Sequence, residues 1–551
     1  GSSDVGLTLD GPSGENSSFI FSLRRSYLQF LFQALGLPFL PTYNDFQYKH
    51  DFDLDAKNRL TLIGLGAIDQ FKLNTSVNDG ITDPEVLQRN NYILGNLPVN
   101  EQWNYTIGAK WTHFGKDNNQ VWVLSRSHLN NSASKYQNNT EQPENLVLDY
   151  NSEEIENNFR YEYNTQLNQW NINAGLSAAL LQYTNKTTNV LEQNGELALL
   201  NYESTLDIFE YAPFFQASRK FLSNRLSLSM GFRLNGLAYN EEMAKPFKHL
   251  SPRLSASYAI TEKLYWNNNL ARYYQIPPLT ALGYRDNTGS LVNKTQMDFI
   301  ENDQVVSGLE YRITDYAKIS VEGFYKKYRN YPLSLNDSIS LANLGADFGV
   351  IGTEPLSSTS EGRSYGLELF IQQKLSSSVY GLISYTYVHS EFENGDNNFV
   401  PASWDNRHIL NLVAGKKLKK NWEFGLKFRL LGGAPYTPVD VPLSTQKQIW
   451  NVTRQGIPDW SRINSERLPV AHALDVRIDK IWYFKKWSIN AYIDVQNVYN
   501  YVVQGPPFLD VERDAQGNPI EDPMNPSRYQ STFIENQSGT VLPSIGLMLE
   551  W

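Results

Sequence analysis

Residues 541–551 alternate between two kinds of side chain, and this period of two constrains the fold more than any other feature of the chain. The residues on one side of the alternation are Val541, Pro543, Ile545, Leu547, Leu549 and Trp551. Side chains with this period point to opposite faces of a β-strand. A strand with one apolar face that ends on tryptophan suits the wall of a lipid-facing barrel, and the alternative is a buried strand of a soluble β-protein.

The same alternation recurs along the chain. Comparable segments lie at residues 103–112, 159–164, 225–234, 422–430, 474–479 and 487–496. In most of them one face carries charged residues, whereas the other carries leucine, tryptophan, phenylalanine or tyrosine. A soluble barrel is apolar inside and polar outside, so this distribution favours the inverted packing of an outer-membrane barrel.

Composition excludes several other classes of protein. The longest apolar run, residues 27–41, is interrupted by polar residues and is shorter than the ~20 apolar residues that a membrane-spanning helix needs. The absence of cysteine excludes disulfides and thiolate metal sites. The net charge of −10 argues against a nucleic-acid partner. The sequence predicts no cofactor.

Short and long connections alternate between the strand-like segments, and this gives the barrel a direction. Short turns are predicted around residues 168, 223, 261, 314, 376, 419 and 485. Long polar stretches span residues 71–100, 128–156, 275–302, 329–362, 432–470 and 499–540. Outer-membrane barrels have short periplasmic turns and long extracellular loops.

We therefore predict an all-β fold, a transmembrane antiparallel β-barrel of about 22 strands in the cell outer membrane. The prediction treats residues 1–551 as one barrel domain. Its first strand is expected at residues 5–10, followed by a turn at 11–14, and this strand is expected to pair with the C-terminal strand, since an open edge in lipid leaves backbone groups unsatisfied.

Short motifs are spread over essentially the whole chain. One is Trp404-Asp405-Asn406-Arg407-His408; the others occupy residues 251–254, 272–278, 364–369, 384–387, 432–438, 474–477 and 494–497. Together they resemble the barrel portion of TonB-dependent transporters of the Bacteroidota type. The resemblance implies a barrel that imports a bulky, scarce solute such as a siderophore, a glycan or a peptide, with energy relayed by TonB.

Members of that family also carry a signal peptide, a TonB-contacting box and a plug that fills the lumen, and we expect none of these within this sequence. The expected partners are outer-membrane lipid and lipopolysaccharide, a separate or removed plug, the TonB complex and a surface lipoprotein. The alternative function is that of a plug-less scaffold or accessory subunit in a larger outer-membrane assembly.

Three patterns imitate enzyme or metal sites. Residues 362–366 match the nucleophile elbow, but they continue into an alternating strand instead of a helix. Asp51, Asp53 and Asp55 imitate a calcium loop that lacks its glycine and glutamate. The seven histidines show no spacing typical of a zinc site. We therefore predict that the protein is not an enzyme and has no catalytic or metal-binding residues.

Charges on the predicted lumen face and aromatic residues in the loops are the candidate solute contacts. The candidates are Glu423, Lys427, Arg429, Asp475, Arg477, Trp404, Tyr436 and Trp460. For each charge the alternative role is to pair with a charge on the neighbouring strand and so hold the wall together.

Overall fold

One continuous antiparallel sheet dominates the computed structural model, which describes residues 3–193, 195–345, 351–396 and 398–551. Twenty-one long strands pair in chain order, each with the next, and two short strands complete the sheet at Gly236–Leu237 and Phe399–Pro401. The long strands are β1 (Asp4–Gly14), β2 (Ser17–Ser26), β3 (Phe39–Asp55), β4 (Asn58–Leu73), β5 (Val99–Phe114), β6 (Asn118–Tyr136), β7 (Leu146–Leu167), β8 (Trp170–Gln193), β9 (Glu196–Phe221), β10 (Leu226–Leu234), β11 (Leu250–Ala259), β12 (Leu264–Gln275), β13 (Ile300–Arg312), β14 (Ala317–Ser334), β15 (Leu356–Ser376), β16 (Val379–Glu393), β17 (His408–Leu418), β18 (Trp422–Leu431), β19 (Ala471–Tyr483), β20 (Ser488–Gln496) and β21 (Leu542–Glu550).

The helices all lie in connections between strands. They are α1 (Leu28–Ala34), α2 (Pro84–Asn96), α3 (Leu279–Gly283), α4 (Val441–Ser444) and α5 (Lys447–Thr453), with 3-10 turns at Gln137–Asn139, Pro143–Asn145, Val292–Thr295, Lys419–Asn421 and Trp460–Arg462. Short strands pair within the long loops at Pro435–Tyr436 with Glu466–Arg467, Val503–Gln504 with Gln537–Ser538, Phe508–Val511 with Ser531–Ile534, and Glu521–Asp522 with Asn525–Tyr529. No helix in the described ranges is both long and apolar enough to cross a membrane.

Short turns and longer connections alternate as predicted, so the sheet has a turn end and a loop end; the exception is the short loop-end connection between β8, which ends at Gln193, and β9, which begins at Glu196. Three predicted boundaries are wrong. The stretch expected at 329–362 is shorter, because β14 continues to Ser334 and β15 begins at Leu356. The first turn lies at residues 15–16 and not at 11–14, because β1 stays paired with β2 through Gly14. The expected loop at 128–156 shrinks to residues 137–145, because the polar ends of β6 and β7 remain paired through Tyr136 and Leu146.

The inverted packing is confirmed by the exposure of large apolar side chains along the outer face. Val305, Val321 and Leu367 are 50%, 48% and 57% exposed on three successive strands. Their register partners in the ladders are also large or small apolar residues, whereas the alternate positions carry most of the charged groups. A face of this kind is stable only against lipid, since water would leave its apolar surface unburied.

The hairpin of β8 and β9 shows where the apolar outer face ends. Leu180 and Phe209 are exposed and lie opposite each other. Toward the loop end, the next outward pairs are polar: Gln182 donates to Asp207 at 2.9 Å and the Lys186 ammonium lies 3.1 Å from the Glu203 carboxylate. Because charged pairs are tolerated in water and not in the bilayer core, this change marks the edge of the membrane.

The loops fold over the inner face of the same hairpin. The side chains of Leu181 and Tyr183 point to the inner face, opposite to the exposed Leu180, and both are buried. They form an apolar cluster with Leu282 of α3 and with Met297 and Leu341 of two further connections. The loop end therefore has a core of its own, separate from the lipid-facing band.

The pairing predicted between the first and last strands stays a prediction. β1 and β21 are separated by twenty antiparallel ladders, so they run the same way, and none of the ladders between described residues joins them. An antiparallel closure takes an even number of strands. The predicted antiparallel sheet of about 22 strands is confirmed by the 21 long strands and two short strands of the sheet.

Candidate functional site

The predicted lumenal charges lie on β18 and β19, on the side opposite the exposed Trp422 and Phe424. The ladder places Lys427 opposite Asp475 and Gly425 opposite Arg477. The structure therefore brings these side chains to one strip of the inner wall, as the alternation predicts.

Most of these charged side chains form an ion pair or a hydrogen bond with a neighbouring side chain. The Arg429 guanidinium lies 3.1 Å from the Asp475 carboxylate, and Arg477 donates to Asp479 at 2.8 Å. The Tyr380 hydroxyl donates to Glu423 at 2.7 Å. Among the described carboxylates, none lies within 4.0 Å of the Lys427 ammonium. Charges that face or neighbour each other in this way stabilise the strand pairs of the wall.

The three loop aromatics are not brought together. Trp404 is 47% exposed and packs edge-on against Phe392, with ring centroids 5.8 Å apart. Tyr436 belongs to a short loop strand, and Trp460 begins a 3-10 turn. None of the three lines the extracellular cavity described below.

The residue after Trp404 has a structural role. Asp405 is fully buried and accepts a hydrogen bond from the backbone N–H of Ser390 at 2.9 Å. Arg467 pairs with the Asp405 carboxylate and donates to the backbone oxygens of Asp405 at 2.7 Å and Gly433 at 3.0 Å. These contacts join the 404–408 and 432–438 motifs, so both motifs fasten two long loops to each other.

A large cavity opens at the loop end, with a volume of about 1330 Å³. Its walls come from α2, the loop ends of β6 and β8, α5 with the segment after it, and the loop strand Phe508–Val511 with the residues that follow. Segments that are hundreds of residues apart thus enclose one space.

The cavity wall is polar and carries charges of both signs. Asp510 is 5% exposed and accepts hydrogen bonds from Gln88 at 3.2 Å and from the backbone N–H of Val511 at 2.7 Å. Arg454 and Arg513 lie on the same wall, and the Arg513 guanidinium is 3.4 Å from Asp510. A solute in this cavity meets amides and charges of both signs.

Lys135 fastens α2 to this wall. Its ammonium donates to the backbone oxygens of Leu94 and Leu97 at 2.9 and 3.1 Å and to Asn139 at 2.8 Å. Partial burial lowers the pKa of Lys135 to about 8, because desolvation penalises the charged form. On the same helix, Tyr92 stacks on Phe508 at 4.7 Å, and burial raises the pKa of Tyr92.

The sequence prediction missed all of these cavity residues, although one local signal was present. Asp83-Pro84 is a typical helix start, with a capping carboxylate followed by proline in the first turn. In the structure Asp83 accepts from the backbone N–H of Glu85 at 3.0 Å. The stretch 71–100 was nevertheless expected to be a loop, and the helix in it builds one wall of the cavity.

Comparison with known proteins identifies the same architecture. A family model described as "TonB dependent receptor-like, beta-barrel" matches residues 32–498. Among solved structures, the ferripyoverdine receptor of the outer membrane of Pseudomonas aeruginosa is similar at 14% identity and a TM-score of 0.65, over 99% of this chain and 70% of that chain. The ferric-catecholate import receptor Fiu from K12 E. coli is similar at 12% identity and a TM-score of 0.64, over 99% and 81%. The copper transporter OprC follows at 10% identity and a TM-score of 0.62, over 91% and 75%. A search of curated proteins found no match.

Proposed function

The chain belongs to the family of TonB-dependent receptor-like β-barrels, and from this premise we propose that it imports a bulky, scarce solute through the outer membrane with energy supplied by TonB. The partners in this proposal are the outer-membrane lipid with its lipopolysaccharide, the TonB complex, a lumenal plug and a surface lipoprotein. The motifs at residues 404–408 and 432–438 support the Bacteroidota type of the family.

The observation that carries the proposal is the extracellular cavity. Its volume of about 1330 Å³ exceeds the 300–1,000 Å³ that is typical of sites for drug-sized ligands. A solute that fills it is therefore larger than an ordinary metabolite. The cavity lies at the loop end, where a solute from outside the cell arrives first.

Three classes of solute fit this space, namely a siderophore, a glycan and a peptide. The similar solved structures include a receptor bound to ferripyoverdine and an import receptor for ferric catecholates. This similarity favours a metal chelate over the other two classes of solute. The amides of Gln88 and Asn91 and the charges of Arg454 and Asp510 suit a polar ligand with both donors and acceptors.

Binding to the purified protein tests the proposal. The probes are ferric enterobactin, maltoheptaose and a short unstructured peptide, titrated calorimetrically. We expect one probe to bind, and Gln88→Ala in the cavity to weaken it about tenfold, the loss of roughly one hydrogen bond. The matched control is Gln142→Ala, an exposed glutamine in the 137–145 connection, which should leave affinity unchanged.

Uptake by whole cells distinguishes import from the scaffold alternative. Accumulation of the bound probe should stop when an uncoupler collapses the proton gradient that drives TonB. A protein that binds none of the probes, and that co-purifies with other outer-membrane proteins, would contradict import and favour a scaffold.

A further inference from the structure

Three arginines converge on a second hollow, in the inner wall of the barrel. Arg160 of β7, Arg233 of β10 and Arg253 of β11 line a cavity of about 270 Å³. Their neighbours along the strands, among them Phe159 and Leu254, are exposed on the outer face. By the alternation of a strand, the three guanidinium groups therefore face the lumen.

Two of the arginines are neutralised by carboxylates. Arg160 pairs with Glu162, and Arg233 lies 3.1 Å from Glu210. Arg253 differs, because its contact is with the ring of Tyr273, 4.6 Å from the ring centroid. No carboxylate oxygen in the described ranges lies within 4.0 Å of Arg253. Of the three arginines that line the hollow, Arg253 is therefore the one whose charge no described carboxylate neutralises at contact distance.

Glycines make room for this arrangement. A Cβ at Gly175 would lie 2.5 Å from the ring of Phe214, and one at Gly231 would lie 2.8 Å from the backbone oxygen of Phe215. The absence of a side chain at Gly175 leaves room for the Phe214 ring, and the Arg160 guanidinium lies 4.6 Å from the centroid of that ring. Gly231 is paired with Arg253 in the ladder, so the wall beside the unneutralised arginine stays open.

We propose that this hollow is a binding site for an anion of the carboxylate type within the lumen. Guanidinium groups bind carboxylates through paired, charge-assisted hydrogen bonds, and Arg253 has donors free for them. The aromatic ring under Arg160 orients that group and lowers its hydration. The source of the carboxylate is either the solute in transit or an acidic side chain of a polypeptide in the lumen; the first of these sources rests on the proposed function.

Calorimetric titration of the purified protein with citrate and with tetraglutamate tests the site. Arg253→Gln should weaken binding about tenfold, as expected for the loss of one charge-assisted hydrogen bond. Tighter binding of citrate assigns the site to a small solute, and tighter binding of tetraglutamate assigns it to a polypeptide. The inference is overturned if neither probe binds at millimolar concentration, or if Arg253→Gln binds as the unmodified protein does.

The matched control is Arg312→Gln. Arg312 resembles Arg253 in contacting an aromatic ring, Tyr265 at 4.2 Å, but it is neutralised by Glu310 at 2.9 Å and does not line the hollow. The affinity of the Arg312→Gln protein for both probes should equal that of the unmodified protein. Heat-modifiable mobility on cold gels checks that each variant is folded. Because this assay needs no transport, a failure of uptake leaves the anion site standing, and a failure of anion binding leaves the extracellular cavity standing.

Discussion

At the scale of single residues, direction within a strand decides what a substitution costs. Leu426 and Lys427 are consecutive on β18, so they point to opposite faces of the wall. Leu426 lies opposite Val476 in the next strand, within the apolar outer face. Lys427 lies opposite Asp475, on the side that water fills.

The Leu426→Arg variant should therefore lose stability. An arginine on the lipid face near the bilayer midplane lowers the free energy of unfolding by ~2–4 kcal/mol. The measurement is urea-induced unfolding in lipid vesicles, followed by tryptophan fluorescence. Lys427→Glu is the control on the inner face, where the carboxylate stays hydrated and its repulsion from the facing Asp475 costs only about 0.2–1 kcal/mol. Equal losses in the two variants would show that the faces are assigned wrongly.

Most of the charged residues described on β18 and β19 form ion pairs or hydrogen bonds with neighbouring groups. Arg477 contacts Asp479 and lies 3.9 Å from the ring centroid of Tyr492. Such pairs satisfy charges that would otherwise need full hydration along the wall. Lys427 and Arg253 are two inner-wall charges with no carboxylate within 4.0 Å among the described residues.

At the scale of elements, the half-buried Lys135 is one of the residues that hold α2 against the cavity wall. The pKa of Lys135 falls from 10.5 to about 8 because its ammonium is partly desolvated. Between these two pH values the docked lysine has released its proton while the undocked lysine still holds one. Docking of α2 therefore becomes more favourable as the pH rises from about 8 toward 10.5, and it does not change below about 8.

Hydrogen exchange measures this effect. The backbone amides of residues 84–96, corrected for the intrinsic exchange rate, should gain protection across that pH range. Lys135→Met keeps the aliphatic stem but cannot titrate, so protection in this variant should not change between pH 8 and 9, where Tyr92, whose pKa burial raises above 10, stays protonated. A pH-dependent gain that persists in Lys135→Met would assign the effect to another group.

At the scale of the whole molecule, the barrel wall is made of strands, and the helices lie in the connections at the loop end. A sheet of 21 strands in a barrel of this class encloses a lumen that side chains alone do not fill. The described helices belong to connections at the strand ends and cover the mouth.

Residues 1–551 reconstituted in a planar bilayer should therefore conduct salt through a large pore. The net charge of −10 gives a weak preference for cations, limited by the arginines of the inner wall. Conductance and the reversal potential in a salt gradient measure both properties. A membrane that stays closed would contradict an open lumen, and a plug added from a related transporter should lower the conductance.

The local pattern of the sequence determined the strands, their faces and most of the turns. A period of two is a property of neighbouring residues, so the alternation at 422–430 was enough to predict that β18 is a strand and which of its faces meets lipid. The motif at 362–366 was likewise assigned to a strand, and it lies within β15. Boundaries failed where polar strands extend beyond the membrane, as in β6 and β7, because the alternation of apolar residues stops there while the ladder continues.

Only the tertiary structure decided which distant residues meet. The cavity wall joins Gln88 to Asp510, and the buried Asp405 joins Ser390 to Arg467. The hollow of Arg160 and Arg253 depends on the register of five strands, and each register is set by pairing between segments and not by the residues within one. A single sequence carries the direction of each side chain along its strand, but the partner across the lumen or in the next loop is fixed only when the sheet curves and the loops dock.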